Sequence, residues 1–219
     1  MGVILIMVIC DMKIVSPKIG KYIKNVKLDE EMVKEDIFDV ENTYQEIDFM
    51  IENIELNGCR FVNVDFSRFP LRNVDLIDCI FEKCNLSGSD FSNRGIHRVK
   101  FDKCNMVGCS FISSSIKDIS ILESKANYIN FSSGKIANFE IRNSVVKEGS
   151  FVSSSLTNII FDEVDFEGCE FLNTKLGNID FSNCNINEIG VSSNDIKGII
   201  VNSEQALMLI TLFGIIVKE

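Results

Sequence analysis

The sequence is poor in residue types on which many enzymes and secreted proteins depend. Among 219 residues there are one histidine, two prolines, three tyrosines and no tryptophan. A single histidine cannot supply a two-histidine metal site, and the chain has no glycine-rich loop of the phosphate-binding kind. We therefore predict a protein without a metal, without a cofactor and without catalytic activity.

Positive charge is also scarce. The chain holds 22 lysines and arginines against 32 aspartates and glutamates, and its formal net charge is −10. A protein with this negative net charge binds nucleic acid phosphates poorly, so we expect no high-affinity binding of DNA or RNA. The apolar run at residues 3–10 is too short to span a membrane and lacks the preceding basic residues of a secretion signal. We expect a cytoplasmic protein without membrane contact.

Phenylalanine, by contrast, is abundant, with 17 residues, and the apolar residues follow a period of five. From Ile51 to Val201 every fifth residue is apolar, over thirty-one consecutive positions without an insertion or deletion. Neither an α-helix, with a period of 3.6, nor a free β-strand, with a period of 2, produces this spacing. The pattern predicts a solenoid in which each unit packs on its neighbours.

Positions twenty residues apart share their character, which indicates four five-residue units to a turn. The column that runs from Leu56 to Ile196 in steps of twenty contains only leucine and isoleucine. The segments FISSSI (111–116) and FVSSSL (151–156) recur forty residues apart, which corresponds to two whole turns. Residues twenty apart are therefore predicted to stack.

Units such as CNLSG (84–88), SDFSN (89–93) and VDFEG (164–168) resemble the pentapeptide-repeat family, whose unit has a central Leu or Phe and a small residue two positions earlier. The resemblance covers residues 49–203. It implies an all-β fold, a right-handed quadrilateral parallel β-helix of about eight coils. Residues 12–48 are out of phase with the repeat, and we expect them to form an N-terminal cap. We interpret residues 1–11 as a misassigned or alternative start, because Met12 is a second candidate for the first residue of the protein. If Met12 is not the start, we expect residues 3–10 to form an extra strand or a tail.

Seven of the eight cysteines lie two residues before a central residue of the repeat, where serine, glycine and threonine also occur. This position points into the coil and has little room. Buried free cysteine behaves as a small apolar residue. We interpret these cysteines as fillers of the inner corner and expect neither zinc ligands nor disulfides among them.

The C-terminal residues 204–219 predict an apolar helix and tail. Ser203 is the expected N-cap and Gly214 the expected stop. One face of such a helix can cap the last coil, and the other faces need a partner, so we predict a homodimer. The alternative is a monomer whose helix folds back completely. The residues predicted at the dimer interface are Leu207, Met208, Ile210, Thr211, Phe213 and Ile215.

The C-terminal segment SSNDIKGIIVNSEQALMLITLFGIIV is similar to the end of the Qnr-type, fluoroquinolone-resistance branch of this family, especially the Gram-positive chromosomal kind. YQEID (44–48) and HRVKFDKCNMVG (97–108) are similar to it as well. The resemblance implies homodimeric rods that imitate DNA and bind DNA gyrase or topoisomerase IV, relieving quinolone poisoning. Some members interrupt their coils with loops implicated in protection. The unbroken repeat has no room for such loops, which leaves open whether this chain protects or only inhibits.

Residues 151–203 contain eight acidic and two basic residues, and the acidic ones fall at outward positions of consecutive repeats. Such a cluster would attract a groove built for DNA phosphates. The alternatives are that any solvent-facing solenoid surface carries charge, and that the rod is a non-catalytic scaffold for another protein. The predicted acidic partner-binding residues are Asp162, Glu163, Asp165, Glu167, Glu170 and Asp180.

Overall fold

The computed structural model describes residues 14–20, 24–25, 27–29, 37–38, 40–43, 45–212 and 214–217. The predicted alternative start at residues 1–11 and the predicted interface residue Phe213 lie outside the described residues.

The described chain is a parallel β-solenoid that ends in one short helix. Strands of successive turns pair in parallel, with partners twenty residues apart: Ser155 pairs with Lys135, Lys135 with Ser115, and Ser115 with Gly95. The all-β solenoid is therefore confirmed. The elements are β1 (Lys24–Asn25), β2 (Ile37–Phe38), β3 (Val40–Thr43), β4 (Glu55–Asn57), β5 (Arg60–Val62), β6 (Asp75–Glu82), β7 (Gly95–Asp102), β8 (Ser115–Leu122), β9 (Lys135–Val145), β10 (Ser155–Asp165) and α1 (Ser203–Leu212).

The strand-paired part comprises about six turns, from β4 through β6, β7, β8 and β9 to β10, rather than the eight coils expected. After β10 the stacking continues only as isolated bridges, such as Asp165 with Asn185 and Asp180 with Ile200. The sequence repeat runs through both parts without interruption, so the inward residues alone do not determine whether a turn forms strands.

Each turn has four sides, one for each five-residue unit, and every side places its central residue inward. Eleven phenylalanines are fully buried as central residues, and a twelfth, Phe139, is fully buried at the inner corner before Ile141. Rings twenty residues apart stack: the centroids of Phe111 and Phe131 are 5.0 Å apart, and those of Phe151 and Phe171 are 4.8 Å apart. We number the sides by their central residues: side 1 holds 56, 76, 96, 116, 136, 156, 176 and 196; side 2 holds 61 to 181; side 3 holds 66 to 186; side 4 holds 71 to 191.

The corners between sides are made by left-handed backbone two residues after each central residue. Between positions 53 and 198 this position has a positive φ in every unit except those of Arg68, Asn183 and Ser193. Asparagine tolerates this conformation better than most residues, and glycine adopts it freely. Asparagine and glycine together occupy half of these positions. The sequence thus contains a second recurring pattern: asparagine or glycine at the corner position, in addition to the apolar central residues of the core.

Where the residue two positions before a central residue is serine, threonine or cysteine, it fills the inner corner and in most units also forms a hydrogen bond. Ser114 Oγ donates to the carbonyl of Phe91 at 2.6 Å, and Cys109 Sγ donates to that of Leu86 at 3.1 Å. The seven described cysteines are free, and all but Cys184 are buried. Burial raises the pKa of Cys109 and of Cys169 to about 12. Six of the seven described cysteines are thus buried at the inner corner, as the repeat pattern predicted.

The described part of the predicted N-terminal cap occupies two different places. Strands β2 and β3 pair with β4 and β5, which extends the stack by one irregular turn offset by nineteen residues. Residues 14–20 instead lie along the corner after side 1, where the amide of Lys18 donates to Asp78 Oδ1 at 2.9 Å and that of Val15 to Asp118 Oδ1 at 3.3 Å. We call residues 14–20 the strap.

The carboxyl groups that hold the strap, those of Asp78 and Asp118, belong to buried residues. Arg98 contacts both carboxylate oxygens of Asp78, at 2.6 and 2.7 Å. Burial alone would raise the pKa of Asp78, but the hydrogen bonds from Arg98 and from the Lys18 amide outweigh it and lower that pKa. The strap is therefore held by an ionised carboxylate that the solenoid keeps in place.

Helix α1 closes the far end through its first turn. Asn202 is the N-cap rather than the expected Ser203, since Asn202 Oδ1 accepts from the Gln205 amide at 2.9 Å and Gln205 Oε1 accepts from the Asn202 amide at 2.8 Å. The side-chain Nε2 of Gln205 donates to the carbonyls of Phe181 and Cys184, at 2.9 and 2.7 Å. The helix thus satisfies carbonyl groups that the last turns would otherwise leave open.

Candidate partner-binding surface

The six predicted acidic residues lie on three sides of the solenoid. Asp162, Glu163 and Asp180 belong to side 2, Asp165 and Glu167 to side 3, and Glu170 to side 4. They form a band around the acidic end of the rod, so a partner that contacts all six must wrap around more than one side.

Half of this band is neutralised by lysine or arginine within the chain. Arg142 Nη1 lies 2.8 Å from Asp162 Oδ2, and Lys147 Nζ lies 3.1 Å from Asp165 Oδ2 and 2.6 Å from Glu167 Oε2. These three carboxylates are half-buried. The Glu167 hydrogen bond, followed by that of Asp165, raises the pKa of Lys147. We call Asp162, Asp165 and Glu167 the paired acids.

The other half is exposed. Glu163, Glu170 and Asp180 have no ion pair with any residue that the structure describes. Glu163 stands at a left-handed corner of the backbone, with φ of 53°. These three residues, which we call the open acids, present uncompensated negative charge to solvent.

The basic stretch between Arg60 and Lys103 is largely neutralised on the surface. Arg60 pairs with Glu82 at 2.9 Å, Arg98 with Asp78 at 2.6 Å and Lys100 with Asp102 at 2.7 Å. Arg94 takes an inward position of the repeat, yet its guanidinium reaches out toward Asp75, at 3.5 Å. The excess of basic residues in this half of the sequence therefore gives few free cations.

The helical end exposes apolar side chains. Leu207 and Leu212 are each 50% exposed, and Ile216 is 86% exposed. Of the predicted interface residues, Leu207, Thr211 and Ile215 are exposed, Ile210 is half-buried, and Met208 is half-buried against the core. Leu209, which was not predicted, is buried and anchors the helix on the last turn. The helix thus presents one face to the solenoid and leaves the others open.

The described residues contain no group of three or more histidine, cysteine, aspartate or glutamate side chains that could hold a metal ion. In the same part of the chain, no helix has the length and apolar character needed to cross a membrane.

Three solved structures illustrate the similarity to known proteins. A trypsin-treated variant of QnrB1, a plasmid-mediated fluoroquinolone resistance protein, is 21% identical with a TM-score of 0.45, over 89% of this chain and 95% of that one. Full-length QnrB1 is 18% identical with a TM-score of 0.41, over 88% and 95%. HetL, a pentapeptide repeat protein involved in heterocyst differentiation regulation from Nostoc sp. strain PCC 7120, is 10% identical with a TM-score of 0.26, over 77% and 90%.

Among curated protein sequences no match was found. Family models do match: the pentapeptide repeat region model covers residues 49–131 and 74–151, and the model of eight pentapeptide repeats covers residues 150–187. Together these matches span more than half of the chain and coincide with the part in which the backbone repeats every twenty residues. The chain belongs to the pentapeptide-repeat family.

Proposed function

We propose that the protein is a non-catalytic, homodimeric rod that binds a type II DNA topoisomerase, gyrase or topoisomerase IV, by presenting an acidic surface in place of DNA. In this role it modulates the action of fluoroquinolones. The observation that carries the proposal is the position of the open acids, Glu163, Glu170 and Asp180, beside an exposed apolar helical end.

Charge is the first support. Residues 151–203 have a net formal charge of −6, whereas residues 51–150 have +1. A concentrated negative field steers a positively charged groove and raises its association rate. The open acids supply this field without competition from a neighbouring cation.

The helical end is the second support. The exposed leucines and isoleucines of α1 and of residues 215–217 form an apolar surface that a second copy of the chain can cover. A two-fold dimer through this end would place two acidic bands next to each other at the centre of a longer rod. The acidic surface would then be doubled where the two chains meet.

Sequence likeness is the third support. The segment from residue 192 to residue 217 resembles the end of Qnr-type proteins, and QnrB1 is described as a fluoroquinolone resistance protein. That description belongs to QnrB1, and we extend it to this chain only as part of the proposal.

A supercoiling assay tests the proposal directly. Purified protein is titrated into DNA gyrase, and in parallel into topoisomerase IV with a decatenation readout, each with and without ciprofloxacin. We expect a concentration-dependent change in at least one enzyme. Inhibition without drug alone would indicate binding without protection, and restored activity with drug would indicate protection. An unchanged activity in all four conditions would refute the proposal.

Matched variants test the acidic surface. We expect that changing the open acids together, by Glu163→Gln, Glu170→Gln and Asp180→Asn, weakens the effect on the enzyme at least tenfold. The control removes the same charge from exposed acids at the opposite end, by Glu46→Gln, Asp48→Asn and Glu52→Gln. If the two triple variants weaken the effect on the enzyme equally, the effect depends only on the net charge of the protein. That result would contradict the proposal that the open acids take the place of DNA.

The dimer is tested separately. Leu207→Asp places a charge on the exposed face of α1 and is expected to give a monomer by sedimentation, with an unchanged circular dichroism spectrum. Leu172→Asp, which changes an exposed leucine on side 4, is the control and is expected to leave the mass unchanged. A Leu207→Asp protein with the mass of the unaltered protein would place the dimer interface elsewhere or exclude a dimer.

A second candidate function is that of a scaffold for a different protein partner. It is favoured by the ion pairs of Asp162, Asp165 and Glu167, because carboxylates that are neutralised within the chain imitate phosphates poorly. The variants Arg142→Gln and Lys147→Gln distinguish the two functions. If the rod imitates DNA, releasing the paired acids is expected to strengthen its effect on the topoisomerase; a scaffold predicts no change.

A further inference from the structure

One side of this acidic rod carries a row of lysines. On side 1 the outward positions are those immediately before and after each central residue. Between residues 115 and 197 these positions hold four exposed lysines, one buried aspartate and otherwise only serine, threonine, alanine and glycine. We call these four lysines the basic face: Lys117, Lys135, Lys175 and Lys197.

The strand register makes the first two lysines diagonal neighbours on adjacent turns. Ser115 pairs with Lys135, and Lys117 pairs with Ala137. Residues in this diagonal relation are about 7–8 Å apart on one face of a sheet. A carboxylate placed between Lys117 and Lys135 is therefore within reach of both flexible side chains.

The other two lysines stand on adjacent turns further along the rod. The amide of Leu176 donates to the carbonyl of Asp195 at 2.9 Å, which stacks the turn of Lys175 on that of Lys197. One turn, with Ser155 outward, separates the two lysine pairs. With turns about 4.8 Å apart, the basic face is about 19 Å long and the centres of its two pairs are about 14 Å apart.

The charge of the basic face is not compensated within the described chain. None of its lysines has an ion pair with a residue that the structure describes. The acids of side 1 in these turns, Asp118 and Asp195, are buried. Asp118 Oδ1 accepts from Asn138 Nδ2 at 2.9 Å, and Asp195 Oδ2 accepts from Ser192 Oγ at 2.6 Å. Both carboxyl groups are therefore engaged away from the lysines.

The surface around the first lysine pair is uncharged and leaves room for a main chain. On the adjoining side 4, the outward positions between Asp90 and Glu170 hold only serine, asparagine, isoleucine and valine. A cleft of about 270 Å³ lies on side 1, lined by Lys117 and Lys135 and by the small side chains of Ser115, Ala137, Ser155 and Thr157. An extended segment can thus lie close to the sheet while its acidic side chains contact the lysines.

We propose that the basic face is a docking surface for an extended acidic segment of a partner protein, with two groups of carboxylates about four residues apart. This spacing follows from the distance of about 14 Å between the lysine pairs and the advance of about 3.3 Å per residue in an extended chain. Exposed ion pairs are weak one by one, so the segment has to engage both pairs. The basic face lies on side 1 and the open acids on sides 2 and 4, so this proposal does not rest on the proposed function.

Charge also favours a peptide over a nucleic acid as the occupant. The protein has a formal net charge of −10, of which −6 falls in residues 151–203, around the second lysine pair. Duplex DNA carries one negative charge per about 1.7 Å of its axis, so it would bring about eleven charges to a face of four lysines. The acids on the other sides would repel this excess. A short acidic peptide brings only as much charge as the lysines neutralise.

Fluorescence anisotropy at low ionic strength tests the occupant. The probe is a fluorescein-labelled, capped peptide, Asp-Glu-Ser-Ser-Asp-Glu, and we expect saturable binding that weakens as salt is added. The same peptide with asparagine and glutamine in place of the acids is expected to bind at least tenfold more weakly. Absence of saturable binding, or equal binding of the two peptides, would overturn the proposal.

A labelled thymidine oligonucleotide with the same number of negative charges as the acidic peptide tests the other class of ligand. We expect it to bind more weakly than the peptide. Equal or tighter binding of the oligonucleotide would overturn the choice of a peptide and would assign the face to nucleic acid.

Paired variants locate the site. The first variant combines Lys117→Gln with Lys135→Gln, and the second combines Lys175→Gln with Lys197→Gln. All four side chains are exposed, so neither variant changes the core. We expect each variant to bind the acidic peptide at least fivefold more weakly, because each removes one of the two lysine pairs. Unchanged binding by either variant would contradict a site that spans both pairs.

The control variant combines Lys83→Gln with Lys125→Gln. These lysines are exposed, lie away from side 1 and have no ion pair within the described residues, so the control removes the same charge from other surfaces. We expect it to bind the peptide at most twofold more weakly. If the control weakens binding as much as the two basic-face variants do, net charge alone is the cause and the location is wrong.

A second copy of the chain is the remaining occupant to test, because its acidic residues could meet the basic face. Sedimentation at low ionic strength compares the unaltered protein with the variant that carries Lys117→Gln and Lys135→Gln. We expect equal masses. A larger mass for the unaltered protein would overturn the proposal and would make a second copy the occupant.

Discussion

The turns up to β10 and the turns after it share one core but differ in how their backbones and surfaces are connected. Upstream, sides 1 and 2 are continuous strands, and most surface charges lie in ion pairs along the rod. In the turns after β10 the ladder is reduced to single bridges. Glu170 and Asp180 in these turns, together with Glu163 near the end of β10, have no ion pair within the described residues. The stack of phenylalanines continues from Phe151 through Phe171 across this boundary, at 4.8 Å.

The difference shows that inward and outward residues determine separate properties. The inward residues fix the twenty-residue turn in both parts, because one buried central residue per side suffices to hold the register. The outward residues and the free backbone edges differ between the parts, and these are the groups that a partner can reach. The open acids, near the end of β10 and in the turns after it, are such groups.

The largest expected effect comes from the shared core. Phe131→Ala removes a buried ring that stacks between Phe111 and Phe151, at 5.0 and 5.1 Å, and is expected to lower the free energy of unfolding by about 3–5 kcal/mol. Phe181→Ala is expected to cost less, because no backbone hydrogen bond joins residues 174–182 to residues 155–163, all of which are described, and this part of the turn can relax into the cavity. Urea unfolding measures both, and a Phe181→Ala cost equal to or larger than that of Phe131→Ala would contradict the difference between the two parts.

The strap gives the next largest effect, and it acts on the upstream part alone. Asp78→Asn weakens the contacts with Arg98 and with the Lys18 amide, and we expect a loss of about 1.5–3 kcal/mol. Because the folded-state pKa of Asp78 is lowered, its contribution is present above the unfolded pKa and is lost as the pH falls through the folded one.

Urea unfolding of the Asp78→Asn variant and of the unaltered protein, measured at pH 7 and at acid pH, checks this. The difference in stability between them should shrink toward acid. A difference that is the same at both pH values would show that the ionised carboxylate is not what holds the strap.

At alkaline pH, buried thiols in the two parts are expected to lower the stability of the protein to different extents, because their pKa values differ. Burial raises the pKa of Cys109, upstream, to about 12, and that of Cys184, downstream and half-buried, to about 11. A raised thiol pKa stabilises the fold fully below the unfolded pKa near 9, and this stability is lost as the pH rises toward the folded value. For Cys109 the slope is about 1.4 kcal/mol per pH unit.

Cys109→Ser is therefore expected to reduce the loss of stability between pH 9 and pH 10.5, and Cys184→Ser is expected to reduce it less. Urea unfolding at the two pH values gives both slopes. If neither variant changes the slope, the thiols are not the groups whose titration destabilises the rod.

The smallest effect is expected at the left-handed corners, which the two parts share in addition to the core. Asn93, upstream, and Asn173, downstream, are exposed and have φ values of 61° and 59°. Asn→Ala at either site is expected to cost about 1 kcal/mol, and Asn→Gly almost nothing, because only the left-handed conformation is penalised. Unequal costs at the two sites, measured by thermal unfolding, would show that the corners differ between the parts.

The core and the fold class were predictable from the sequence because each side of each turn repeats the same requirement. One apolar residue every five positions, such as Phe81, Leu86 and Phe91, is enough to fix the burial of the whole interior. The inner-corner residues were also predictable as small, but not as donors: the hydrogen bond from Ser114 to Phe91 depends on which carbonyl lies below, and the linear pattern does not give that distance.

The surface was less predictable, because it depends on contacts between turns. Asp162 and Glu163 are adjacent in the sequence and equally acidic, yet Arg142 neutralises one and leaves the other open. The N-cap was predicted one residue late, since Asn202 and Ser203 are both good caps and the contact with Gln205 decides between them. The interruption after β10 has no counterpart in the apolar pattern, which continues unchanged through Leu176 and Phe181.

The strap has a consequence for the order in which the chain folds. Most backbone contacts of the solenoid join residues about twenty apart, so turns can be added one after another with a small and constant entropic cost for each. The bond from Val15 to Asp118 spans 103 residues and is absent until the turn that carries Asp118 has formed. The strap can therefore dock completely only after the turns up to Asp118 have folded, so a docked strap indicates that these turns are formed.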